Sequence, residues 1–239
     1  MLEVRGLAVR HGALEAVREV SFEVPAGAAI GLLGPNGAGK SSVLEAISGM
    51  KRPVGGQISF LGRRIETWSS HAVLDLGIAH VPENRLIFMR LTVGENLMVA
   101  APARMSKAHI RRRREAVLDY LPELAPRLDE PASSLSGGQQ QLLAVGRGLM
   151  ADPRLLILDE PTLGLSPLAT ARMFALIVQL LADGLAVLLV DQNVHRVLEI
   201  ADTVHVIDRG RIVLSGHGGV LIDEPFFNEV LLGASRRIT

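Results

Sequence analysis

Nine consecutive residues, Gly34-Pro35-Asn36-Gly37-Ala38-Gly39-Lys40-Ser41-Ser42, match the spacing G-x-x-x-x-G-K-[ST] of a phosphate-binding loop. The glycines allow the backbone to curl so that its N–H groups face an anion. The helix expected to start there adds the positive end of its dipole. In such a loop Lys40 reaches the β- and γ-phosphates of a nucleoside triphosphate, and the Ser41 hydroxyl ligates Mg²⁺. Further on, Leu155-Leu156-Ile157-Leu158-Asp159-Glu160 places two acids directly after four apolar residues. Asp159 can hold Mg²⁺ through water. Glu160 can accept a proton from an attacking water, a contribution of roughly 10²–10⁴ in rate. A third stretch, Leu135-Ser136-Gly137-Gly138-Gln139, has the S-x-x-Q spacing of a capping box. Two glycines behind a capped helix start also allow close approach to a phosphate. With its own phosphate loop already serving one triphosphate, that phosphate would belong to another subunit.

These groups need strands and helices to aim them. Alternation at Leu2, Val4, Leu7 and Val9, then at Val20, Phe22 and Val24, reads as two short half-buried strands. The apolar run 28–33 predicts a buried strand leading into the glycine loop, followed by a helix over about 40–48. Strands are expected at 57–60, 78–81, 155–158 and 185–190, and helices at 167–182 and about 194–200. Residues 204–207 and 211–214 read as a hairpin across Arg209-Gly210. Between about 91 and 150 strand-like runs vanish and helical spacing takes over, as in Ile110, Val117, Leu118 and Leu121. Apolar strands alternating with helices imply a mainly parallel sheet covered on both faces. The fold class is therefore α/β, with an N-terminal antiparallel β part and a helical insertion. Residues 1–90 and 151–239 form the core, residues 91–150 the inserted subdomain, and 1–239 one domain.

Composition narrows the function. Hydrophobic residues make up 48% and charged residues 21%, enough for a sizeable core. Lys+Arg and Asp+Glu are both 25, so no global field draws the chain to nucleic acid. The absence of cysteine excludes disulfides and thiolate metal sites. Charges spread through residues 3–19 leave no room for a signal peptide. No apolar run approaches the ~18–20 residues needed to cross a bilayer, so the expectation is a soluble chain in the cytoplasm. The basic run Arg111–Arg114 reads as a solvated helix face, Trp68 as a packing residue, and the scattered histidines His71, His80, His109, His205 and His217 as structural.

The phosphate loop, "LSGGQQQ" and "LLILDEP", in this order and spacing, resemble the nucleotide-binding subunits of ABC transporters, and the similarity runs over essentially the whole chain. "GIAHVPENRLIF", "LTVGENL", "LLAVGRGLM", "LLVDQN" and "GRIVLSG" resemble the ATPase subunits of branched-chain amino acid uptake systems. The resemblance implies a P-loop NTPase fold, ATP and Mg²⁺ as cofactors, and two ATPase subunits facing head to tail. Each ATP would lie between one subunit's phosphate loop and the other's Ser136-Gly137-Gly138. It further implies transmembrane permease subunits, docked through residues 83–97, and a peripheral place on the inner face of the cell membrane. An extracytoplasmic solute-binding protein would be an indirect partner. A heterodimer with a companion ATPase is usual in that group, and a homodimer is open.

Four positions depart from the general family pattern. Glu83 stands where most members have Gln; a carboxylate can still ligate Mg²⁺ or orient water. Gln192 stands where His is usual; its amide can hydrogen-bond a γ-phosphate without carrying charge. His11 replaces the aromatic that stacks on adenine, with less contact area. Pro167 occupies a position near which an Asp is common. His195, one turn beyond Gln192, reads as a surface residue. Three rivals follow from these observations: a urea or amide importer ATPase, a soluble ABC ATPase of repair or translation, and a nucleotide-binding module that barely hydrolyses.

Overall fold

A computed structural model describes residues 1–221; residues 222–239, part of the expected core, lie outside the described residues. Two sheets organise the chain. The first has the order β2-β1-β4-β5, built from β1 (Leu2–His11), β2 (Leu14–Val24), β4 (Gly55–Phe60) and β5 (Arg63–Arg64), all antiparallel. The first two strands are longer than the short pair expected, at 10 and 11 residues, and β1 pairs with both β2 and β4. Ladder bonds to two neighbours hold residues whose side-chain pattern is irregular.

The second sheet has six strands in the order β10-β9-β3-β8-β7-β6. Its members are β3 (Ala29–Leu33), β6 (Ile78–Val81), β7 (Leu155–Asp159), β8 (Ala186–Val190), β9 (Thr203–Asp208) and β10 (Arg211–Gly216). β9-β3-β8-β7-β6 run parallel, and β10 closes one edge as the antiparallel arm of the expected hairpin. Burial on both faces explains why β3 and β8 are free of polar side chains and why β7 is apolar up to Asp159 at its tip. Alternate residues serve two cores. Leu156 and Leu158 join one with Val187 and Leu189, whereas Leu155 and Ile157 join the other with Ala186 and Leu188. The first core is completed by helices, the second by the antiparallel sheet and α1 (Lys40–Ile47).

The helices of residues 91–150 are α3 (Val93–Val99), α4 (Lys107–Tyr120) and α5 (Gly137–Leu149). Thr92, Ser106 and Ser136 cap their starts by accepting N–H groups of the first turn. α6 (Pro167–Ala182) and α7 (Val194–Ile200) follow β7 and β8. Gly31 in β3 allows α7 to come close: a Cβ there would lie 2.6 Å from Val197 Cγ1. A four-residue helix, α8 (Gly218–Leu221), ends the described chain. α2 (Ser70–Leu76) was not legible in sequence, because only Val73 of it is buried and no periodic face forms.

One expectation needs correcting. The run Arg111–Arg114 is only half solvated. Arg113 donates from Nε to Leu149 O at 2.7 Å and pairs with Asp152 at 2.9 Å, satisfying the C-terminal end of α5. Trp68 packs against the second core, as expected. Among the described residues no helix is long and apolar enough to cross a membrane.

Candidate active site

The glycine loop turns where a side chain could not follow. Gly34 (φ 153) lies against β9, and a Cβ would sit 2.1 Å from Ile207 O. Gly39 (φ 108) presses on β2, with a Cβ position 2.5 Å from Ala16 O. Gly39 is also the N-cap of α1 and offers no side-chain cap, so the first-turn N–H groups of Lys40, Ser41 and Ser42 are left for another acceptor. Ala38 packs in the core, its N–H on Pro35 O and its carbonyl accepting from Gly210 N.

A cavity of about 420 Å³ opens over this loop. Gly37, Lys40 and Ser41 line it from below, Glu83 from the end of β6, Glu160 from the end of β7, and Gln192 from the end of β8. A second cavity of about 340 Å³ shares Asn36, Lys40 and Gln192 with it and extends past Gly34 and Pro35. The tips of three parallel strands therefore converge on one loop, as open α/β sheets arrange their ligand sites.

Lys40 is buried, and its Nζ donates to Gly34 O at 2.8 Å and Pro35 O at 3.1 Å. Burial lowers its pKa, while Glu160 and Asp159 pull the other way. Asp159 is buried at the tip of β7, and among the described residues its Oδ1 has no hydrogen-bond partner. Burial raises its pKa, opposed by the Ser41 hydroxyl and reinforced by Glu83. An orphan carboxylate oxygen beside a hydroxyl and a second carboxylate is the donor set of a hard cation, so these residues fit Mg²⁺. Glu160 is half-buried with φ +48, held by its N–H on Val190 O at 2.7 Å. Burial raises its pKa, and the Gln192 amide, donating to Oε2 at 2.6 Å, opposes the rise. A carboxyl poised in this way suits a general base.

Sequence reasoning overlooked Asp191. It is buried, and it accepts from Thr162 N (3.2 Å), Thr162 Oγ1 (2.8 and 2.7 Å) and Asn193 N (2.7 Å). This ties the segment after Glu160 to the segment holding Gln192. A lone acid between an apolar strand and Gln192 carried no sign of its distant partner.

His11 lines the same cavity, with Leu14 and Ala16 on the same wall. Lys51 Nζ lies 2.6 Å from Nδ1, and an ammonium cannot accept, so Nδ1 accepts. Nε2 lies 2.8 Å from Ser42 Oγ and 3.3 Å from the same Lys51 Nζ. The ring is thus anchored by both edges. Leu14, 68% exposed, adds an apolar surface that sequence reading missed. His195 is exposed and does not line the cavity, whereas Pro167 opens α6 behind the cap Ser166.

Leu135 is buried and Ser136 forms the expected capping box with Gln139, at 3.3 and 3.0 Å. Ser136 and Gly137 are exposed, and residues 135–139 do not line the cavity over their own phosphate loop. Gly138 lets α6 approach, a Cβ there lying 2.8 Å from Ala169 Cβ.

A phosphate loop feeding α1 beneath acids at neighbouring strand tips defines a P-loop NTPase of the α/β class. The family model described as "ABC transporter" matches residues 17–163. The chain belongs to that family, whose cassettes hydrolyse ATP. It is 38% identical to the high-affinity branched-chain amino acid transport ATP-binding protein BraG of Pseudomonas aeruginosa, covering 98% of this chain and 100% of that one. It is 31% identical to the lipopolysaccharide export system ATP-binding protein LptB of Acidithiobacillus ferridurans, over 98% and 97%. Among solved structures, the ADP conformation of MJ1267, an ATP-binding cassette of an ABC transporter, superposes with TM-score 0.86 at 25% identity, covering 98% of each chain.

Proposed function

We propose that this chain is the ATP-hydrolysing subunit of an importer of branched-chain amino acids. The observation that carries the reading is the convergence of Lys40, the orphan oxygen of Asp159 and the held carboxyl of Glu160 on one phosphate loop. Ser41, Asp159 and Glu83 would hold Mg²⁺, whose charge offsets that of the phosphates when bound. Loop N–H groups and Lys40 bind the triphosphate. Glu160 takes a proton from water as the water oxygen bonds to the γ-phosphorus, and the bond to the β-phosphate oxygen breaks to leave ADP and phosphate. Gln192 holds Glu160 in place.

Ser136 and Gly137, both exposed, and the half-buried Gly138 lie outside the cavity over their own loop and close on the nucleotide of a second ATPase subunit, either a companion or a copy. Leu86, Phe88, Met89, Met98 and Val99 are exposed apolar residues, and Leu86 and Val99 border a groove of about 300 Å³. This surface suits docking on permease subunits at the inner face of the membrane. The likeness to BraG over full length supports branched-chain amino acids as cargo. The test is turnover and uptake. Glu160→Gln is expected to slow ATP turnover by ~10²-fold or more while ATP binding persists. Vesicles carrying the assembly are expected to accumulate leucine only with the unsubstituted subunit. Equal turnover of the wild type and Glu160→Gln in every assembly refutes the reading.

A further inference from the structure

Glu83 and the Ser136–Gly138 segment lie in different parts of the chain, and a side chain two residues beyond Glu83 reaches the start of α5. Arg85 stands two residues beyond Glu83, on the connection from β6 to α3. Its Nε donates to Gln141 Oε1 at 3.1 Å and its Nη1 to Gln140 Oε1 at 3.0 Å. The Gln140 amide in turn donates to Leu135 O at 3.2 Å, the residue before Ser136. A Cβ built on Gly137 would lie 3.5 Å from Arg85 Nη1, so the guanidinium rests against the first residue of α5. A planar fork engaging two adjacent acceptors fixes orientation as well as distance. Among the described residues no carboxylate pairs with Arg85, so its fork is committed to these amides. The backbone bends to deliver it: Arg85 and Leu86 both take left-handed φ, 54° and 47°, which L residues hold only under constraint. Gln141 is buried and among the described residues its Nε2 has no partner, so its side-chain amide is held through the oxygen that Arg85 engages.

We infer that Arg85 is a positioning residue that ties the placement of Ser136, Gly137 and Gly138 to the state of Glu83 at the nucleotide cavity. The inference rests on the proposed closure of that segment over a second subunit's nucleotide. A displacement of Glu83 by the magnesium–triphosphate complex is carried along two residues of constrained backbone and through the fork to the start of α5. Loss of the fork therefore damages the site to which this chain lends its helix start, and spares the site of its own phosphate loop.

Complementation separates those two sites. Arg85→Met keeps the apolar stem and removes the fork. Binding of magnesium-ATP to the isolated variant is expected to stay within about twofold of wild type, while turnover of a dimer of two Arg85→Met subunits falls by about tenfold or more. Arg85→Lys does not restore it, because charge without a fork cannot hold both oxygens. In an equal mixture with Lys40→Ala, half the dimers contain one competent site, an intact loop facing an intact helix start. Turnover then recovers to about a quarter of wild type in a two-fold assembly. With a companion ATPase, Arg85→Met abolishes turnover after Lys40→Ala, and adds at most about twofold after loss of the companion's loop lysine. Gln140→Leu with Gln141→Leu, which removes the fork's acceptors, gives the same pattern. Wild-type turnover by Arg85→Met overturns the inference, as does a mixture that stays inactive. Failure of the transport reading shows separately, as absent magnesium-ATP affinity or leucine uptake in the unsubstituted protein.

Discussion

Replacing Asp191 by alanine tests whether the Glu160 carboxyl, the proposed general base, is held from behind. The Asp191 carboxylate, 4% exposed, takes three donors from two segments: Thr162 N, Thr162 Oγ1 and Asn193 N, at 2.7–3.2 Å. Hydrogen bonds to a charged group contribute roughly 1.5–3 kcal/mol each when a partner is removed from a buried site. Thr162 and Asn193 are only half-buried, so water recovers part of that loss. The expected destabilisation of Asp191→Ala is about 3 kcal/mol, within the range for breaking a buried polar network. Thr162 is two residues from Glu160 and Asn193 adjoins Gln192, so the loosened segment carries both groups. A misplacement near 1 Å at a reacting group costs on the order of 10²-fold in rate. Urea unfolding measures the first number and turnover of the assembled ATPase the second. Thr162→Val supplies a double-mutant cycle, in which coupling above about 0.5 kcal/mol is expected. Stability within about 0.5 kcal/mol of wild type and turnover within twofold would refute the reasoning.

Two further outcomes follow from the same geometry. The Gln192 amide favours ionised Glu160, so Gln192→Ala raises the carboxyl's pKa further, and the acidic limb of kcat moves to higher pH. A limb that stays put or moves down removes Gln192 from this role. His80 is held neutral by burial, its pKa lowered from 6.5 to about 4, with Nδ1 on Ser48 Oγ at 3.1 Å. The unfolded chain binds the proton first, so stability is full above pH 6.5 and declines as pH falls towards 4. The loss is about 3 kcal/mol in all. His80→Gln is expected to flatten that part of the stability–pH curve measured by urea unfolding. An unchanged slope counts against it.

The phosphate loop, the acids at the tip of β7 and the bounds of β6, α6 and α7 were legible in sequence because each depends on a few neighbouring residues. A glycine pattern, an apolar run ending in acids and a Pro-led apolar helix are local statements. The same holds for the capping box at Ser136. What the chain alone left open is what joins those pieces across long separations. Asp191 meets Thr162 across 29 residues, and Arg85 meets Gln140 and Gln141 across 55 and 56. Only the pairing of β7 with β8, and the packing of α5 beside β6, brings them within reach. The wall made by His11 and Leu14, the contacts of the His11 ring with Ser42 and Lys51 and the buried state of His80 are likewise tertiary. Long-range hydrogen-bond partners and the burial of individual polar side chains are set by neighbours in space, and local period and spacing carry no record of them.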